Sequence, residues 1–142
     1  MKKIAVFASG NGTNTENIVN YFEDSDLARV SIIFCNRKNA GVIDRAKLLG
    51  VRCIVFSPSE KEFETILSKL QDVKIDFIVL AGFTAKIPSS ILDAYPDRVI
   101  NIHPALLPDY GGDGMYGMNV HRAVVENEEE ETGITIHYVN DE

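Results

Sequence analysis

The chain has 142 residues, 45% hydrophobic and 25% charged, with a formal net charge of −7. That length fits one domain with a real core, and the acidic balance argues against nucleic-acid binding through a basic face. No apolar run approaches the ~18 residues that would span a bilayer.

Met1-Lys2-Lys3 leads into an apolar run too short for a secretory signal, so no membrane partner and a cytoplasmic location are expected. Lys3 to Ala8 reads as a first strand. A glycine-rich turn follows, Ser9-Gly10-Asn11-Gly12-Thr13-Asn14, then a helix from about Asn14 to Tyr21 that buries Ile18, Val19 and Phe22. Val30 to Cys35 is a second strand with almost no polar face, the pattern of a parallel sheet covered on both sides. Gly41 to Leu49 predicts a helix stopped by Gly50, and Cys53 to Phe56 a third strand. Cys35 and Cys53 are the only cysteines. They lack CxxC spacing and read as buried, reduced thiols rather than a zinc site or a disulfide.

Ser57-Pro58-Ser59-Glu60 has the pattern of a capping box with proline at the first helical position. Phe63, Ile66, Leu67 and Leu70 then form one buried helical stripe. Asp76 to Ala81 predicts a fourth strand ended by Gly82, Pro88 to Tyr95 a short helix, and Val99 to Ile102 a fifth strand. A long loop from Pro104 to about Met118 holds four glycines. Beyond it come a helix from about Asn119 to Glu126, an acidic turn and a sixth strand, Gly133 to Val139. The acidic turn, with Glu126 and Glu128 to Glu131, reads as a solvated surface, and no metal site is expected there. Strands alternating with helices imply an α/β, Rossmann-like, doubly wound and mainly parallel sheet.

Two segments carry chemistry. In the turn after the first strand, glycines admit a ligand close to the backbone and free N–H groups attract an anion, so phosphate is the expected guest. Thr13 and Asn14 add side-chain donors, and Thr13 with Glu16 has capping-box spacing. The dinucleotide fingerprint is incomplete, because Thr15 stands where its third glycine belongs and Cys35-Asn36-Arg37 supplies no acid for a ribose. A tight turn with a capped helix and no ligand fits the same residues. The second segment is Asn101-Ile102-His103-Pro104-Ala105-Leu106-Leu107-Pro108. In an extended chain Asn101 and His103 share one side. The imidazole can move protons near neutral pH, and the carboxamide can donate to an oxygen that turns negative when a carbonyl is attacked. That pair suits acyl-type transfer. A lone histidine after a strand is otherwise usually a structural hydrogen-bonder.

Together, the Ser9–Asn14 turn, Cys35-Asn36-Arg37, Val79-Leu80-Ala81-Gly82-Phe83 and the Asn101–Pro108 segment resemble the phosphoribosylglycinamide formyltransferase family. His121-Arg122-Ala123 and Gly133 to Val139 continue the likeness in the same order. The resemblance covers essentially the whole chain and implies a single formyltransferase domain over residues 1–142, incomplete at its C-terminus. It implies transfer of a formyl group from 10-formyltetrahydrofolate, as co-substrate, to the amine of glycinamide ribonucleotide, with no metal. Asn11, Gly12, Thr13 and Asn14 would hold the substrate phosphate. Thr84, Ala85, Lys86, Ile87 and Asn101 would contact folate, and His103 with Asn101 would be the catalytic pair. The Leu107-Pro108 bond matches a position that is cis in the family.

Two departures stand out. The family's third catalytic residue is an aspartate in a pattern like DExxDxG, of which Asp141-Glu142 supplies only the start. The chain is expected to lack that aspartate and the C-terminal strand and helix, and so to have little or no activity in this form. The loop from Asp109 to Met118 is also longer and richer in glycine than the family's usual form. His121 is open between a structural and a loop-related role, and His137, on the face of its strand opposite Ile134 and Ile136, could approach the site. Monomer and homodimer are both open. Rival readings are a formyltetrahydrofolate hydrolase, which would usually carry an N-terminal regulatory domain, and a non-catalytic phosphate- or nucleotide-binding module. A methionyl-tRNA formyltransferase would want a basic extension.

Overall fold

Six strands form one sheet in the order β3-β2-β1-β4-β5-β6 in the computed structural model, which describes residues 1–103 and 135–139. They are β1 (Lys2–Ala8), β2 (Ala28–Cys35), β3 (Arg52–Val55), β4 (Phe77–Ala81), β5 (Val99–His103) and β6 (Thr135–Tyr138). The first five are mutually parallel, and β6 pairs antiparallel with β5. Four helices connect the parallel strands: α1 (Thr13–Phe22), α2 (Gly41–Leu49), α3 (Glu60–Asp72) and α4 (Ser89–Ala94). The expected α/β doubly wound sheet is therefore present. The glycine-rich loop, the Leu107-Pro108 bond, the helix from Asn119, the acidic turn, His121 and Asp141 lie outside the described residues.

Strand alternation divides the core into two layers. Phe7, Phe34, Leu80 and Val99 face a cluster built with Phe63, Ile66 and Leu70 of α3 and Ile91 and Leu92 of α4. Val6, Ala8, Ile33, Cys35 and Val79 face the other cluster, with Val42 and Ala46 of α2 and Ile18, Val19 and Phe22 of α1. Ala5, Val6, Phe7 and Ala8 are all 0% exposed. β1 is covered on both faces, which is why its sequence shows no polar alternation.

Two capping expectations need correction. Gly12, at φ 80°, is the residue that starts α1, so Thr13 lies inside the helix and forms no capping box with Glu16. The Glu16 N–H donates to the Gly12 carbonyl at 2.8 Å, and the Glu16 carboxylate pairs with Arg45. At α3 the cap is Ser59, two residues later than the pattern suggested. The Glu62 N–H donates to Ser59 Oγ at 3.2 Å, while the Glu62 carboxylate accepts from the Ser57 N–H. Pro58 thus precedes the cap instead of opening the helix.

The helix stop at Gly50 is present as expected. Its φ of 71° is the left-handed conformation that glycine adopts without strain. Cys35 is buried, Cys53 is half-buried, and both are free thiols. Burial, reinforced by the neighbouring Cys35, pushes the Cys53 thiol up to about 11. Cys53 therefore stays protonated at neutral pH and serves as a packing residue. No described helix is long and apolar enough to cross a membrane.

Candidate active site

A parallel sheet collects its strand C-termini at one edge. Here β1 leads outward to β2 and β3 on one side, while β4 and β5 extend the sheet on the other. The topological switch point falls between β1 and β4, the crevice where doubly wound sheets receive ligands. The Ser9 N–H donates to the Gly82 carbonyl at 3.2 Å across that crevice. The turn after β1 and the segment after β4 are therefore adjacent.

The turn at residues 9–14 is held from outside as well as within. The Val42 N–H donates to the Gly10 carbonyl at 3.0 Å, and Arg45 Nε donates to the Asn11 carbonyl at 2.6 Å. The same guanidinium pairs with Glu16, so one side chain of α2 grips both the turn and the first coil of α1. These tethers employ carbonyl groups, which leaves N–H groups at the opening of α1 suited to an anion. Asn11 and Thr13 are exposed, and Gly12 and Asn14 half-buried. Thr15 is 1% exposed, and its hydroxyl has no partner among the described residues. It stands, buried, at the position where a dinucleotide fold would use glycine.

A cavity of about 470 Å³ opens beside this turn, lined by Ser9, Gly10, Asn11 and residues 37–41. Arg37 and Lys38 on its lining give this corner of an acidic chain a local positive charge.

After β4, Phe83 anchors the chain by packing edge-on against Phe7 at 5.4 Å and stacking on Phe56 at 6.1 Å between centroids. Thr84 and Lys86 are exposed and Ala85 is half-buried. Ile87 is 4% exposed, and its side chain belongs to the α3/α4 core layer. Of this segment, residues 84–86 are the ones that offer side chains outward.

β5 stays extended through His103. Register sets Asn101 beside Leu80 and Ile102 beside Ala81, and Leu80 in turn lies level with Phe7. Asn101 is half-buried and already engaged by a neighbour. Ile102 packs into the α1/α2 layer, as alternation about Asn101 requires. β6 brings His137 opposite Asn101 and Thr135 opposite His103. With one strand between β1 and β5, their ends stand about 10 Å apart at ordinary strand spacing. The backbone thus gathers the turn at 9–14, the segment from Gly82 and the Asn101–His103 strand end at one edge. Among the described residues, no group of three or more His, Cys, Asp or Glu could hold a metal ion.

Sequence reading missed two features. One is the grip of Arg45 on the turn. The other is a cluster of Ser9, Asn36 and Thr84, whose hydrogen bonds join the loops after β1, β2 and β4. Each of its members lies in or next to a quoted motif, yet their contact depends on strand order.

Known proteins similar to this chain share one family. A formyl transferase family model matches residues 2–142. The chain is 40% identical over 148 residues to a chloroplastic phosphoribosylglycinamide formyltransferase of Arabidopsis thaliana, covering 99% of this chain and 51% of that protein. It is 37% identical over 147 residues to the phosphoribosylglycinamide formyltransferase of Bacillus subtilis, covering 99% of this chain and 73% of that one. The chain thus spans about half the length of the plant relative. Among solved structures, glycinamide ribonucleotide transformylase 1 of Geobacillus kaustophilus superposes with a TM-score of 0.85 at 42% identity, covering 100% of this chain and 76% of that one. With its family model matched over residues 2–142 and its fold superposing on such a structure, the chain belongs to the formyl transferase family.

Proposed function

We propose that the protein transfers a formyl group from 10-formyltetrahydrofolate to the amine of glycinamide ribonucleotide, a step of purine synthesis, in the cytoplasm. The amine nitrogen attacks the formyl carbon, a new C–N bond forms, and the carbonyl oxygen takes up negative charge. Collapse of that adduct breaks the bond to the folate nitrogen, which leaves with a proton. Asn101 donates to the oxyanion. His103 carries the proton from the amine to the departing nitrogen. The N–H groups of residues 11–14 hold the ribotide phosphate, and the segment from Thr84 to Ile87, backed by the buried Ile87, borders the pterin. Partners on this reading are two small molecules, with no nucleic acid and no resident metal.

One observation carries the reading. The anion-receptive turn and the Asn101–His103 strand end share the switch-point edge of one sheet, on a chain that matches a formyl transferase model over residues 2–142. The test is to incubate the full-length protein with 10-formyltetrahydrofolate, with and without the ribotide, and to quantify formylated ribotide and free formate. Formylated ribotide that appears only with both substrates is expected. Formate release that ignores the ribotide would instead make the protein a hydrolase, and neither product would make it a binding module.

A further inference from the structure

Ser9, Asn36 and Thr84 close a ring of hydrogen bonds over three strand ends. The Ser9 hydroxyl donates to Asn36 Oδ1, Asn36 Nδ2 donates to Thr84 Oγ1 at 3.3 Å, and the Thr84 hydroxyl donates back to Ser9 Oγ at 3.1 Å. The Thr84 N–H adds a bond to the same Ser9 oxygen at 2.9 Å. Each hydroxyl spends its single hydrogen on the next member, so every bond polarises the one beside it. Ser9 is 3% exposed, and a buried hydroxyl stripped of its partners is costly. The ring therefore holds or opens as a unit.

Its members have distinct positions in the proposed site. Ser9 lies two residues before Asn11, where the phosphate turn begins. Thr84 opens the segment assigned to folate. Asn36, at the end of β2, belongs to neither half-site and joins the other two. We propose that this ring couples the half-sites, so that the substrate bound at one orders the loop that receives the other, with Asn36 as the positioning residue. The inference rests on the formyl-transfer reading, because that reading supplies the two ligands. A ligand that fixes the turn fixes Ser9, the ring then fixes Thr84, and the second ligand loses less freedom on arrival. Thermodynamic linkage requires the enhancement to be the same in both directions.

Calorimetric titration measures this directly, with glycinamide ribonucleotide and tetrahydrofolate, a pair that binds without reacting. Each ligand is titrated alone and again with the other present. In the unaltered protein each should tighten the other by the same factor, about 5–150-fold for couplings of this kind. Asn36→Leu removes both of its ring bonds at similar volume and should bring that factor close to one, with little change in the affinity of the ribotide alone. Thr84→Val should act likewise, and it serves where Asn36→Leu folds poorly. Thr84→Ser keeps the hydroxyl and should retain the coupling, which ties the effect to the ring's hydrogen bonds. Coupling that survives in Asn36→Leu and Thr84→Val would overturn the inference, as would its absence from the unaltered protein, and formyl transfer would stand in either case. Failure to bind either ligand would instead remove the formyl-transfer reading and the ring's function with it.

Discussion

In the full-length protein, His103→Ala should lower kcat for formyl transfer by about 10²–10⁴, the usual worth of a positioned proton carrier, with the fold unchanged. The residue ends β5, and the strand is secured upstream of it. Val99 is 0% exposed, Ile100 is paired with Val79 and Ile102 with Ala81. Truncating the last side chain therefore leaves the ladder in place. Asn101→Asp is the companion variant. It keeps the volume but replaces a donor with an acceptor that repels a developing oxyanion. Loss of one such donor typically raises the barrier by ~2.7–4 kcal/mol. Steady-state assays, alongside circular dichroism and denaturant midpoints, separate chemistry from folding. Near-normal turnover in either variant would remove that residue from the mechanism.

The second large effect falls on stability. A Cβ on Gly12 would lie 2.6 Å from Val42 Cγ2 and 2.9 Å from the Val42 Cα, at a φ of 80°. Val42 is itself 0% exposed, and its N–H is bonded to Gly10, so neither partner can retreat. Gly12→Ala combines a left-handed backbone penalty of about 1–2 kcal/mol with overpacking of about 1–3 kcal/mol. Gly50→Ala is the internal control. Its φ is 71°, but nothing lies within 4 Å of the added carbon, so only the backbone penalty of about 1–2 kcal/mol applies. Urea titrations should rank Gly12→Ala clearly below Gly50→Ala. Equal losses would show that the turn does not press on α2.

These two positions show what the sequence could and could not disclose. The glycines at 10 and 12 announce a close backbone approach, but only the structure names Val42 as the surface approached. The all-apolar run of residues 32–35 announces a strand covered on both faces, and it is one. The α3 stripe of Phe63, Ile66 and Leu70 is buried as its spacing requires. Cap identity was harder to read. Ser57 and Ser59 both precede an acid at plausible spacing, and backbone conformation chooses Ser59. The direction of β6 was not legible either, because alternation along a strand is the same whichever way the chain runs. In the site, Asn101 and His103 stand out as a local pair. Arg45 and Asn36 do not, since their partners lie 34 and 48 residues away in sequence and become neighbours only once β1, β2 and β4 are ordered.

In the proposed reaction the turn at 9–14 and the end of β5 serve one substrate. A crystal structure with glycinamide ribonucleotide bound tests it most directly. The phosphate should sit within hydrogen-bonding distance of the N–H groups of residues 11–14. The amine should reach past β4 to the end of β5, about 10 Å away by strand spacing. A phosphate held instead by Arg37 and Lys38 in the neighbouring cavity, with the amine directed away from Asn101, would contradict it.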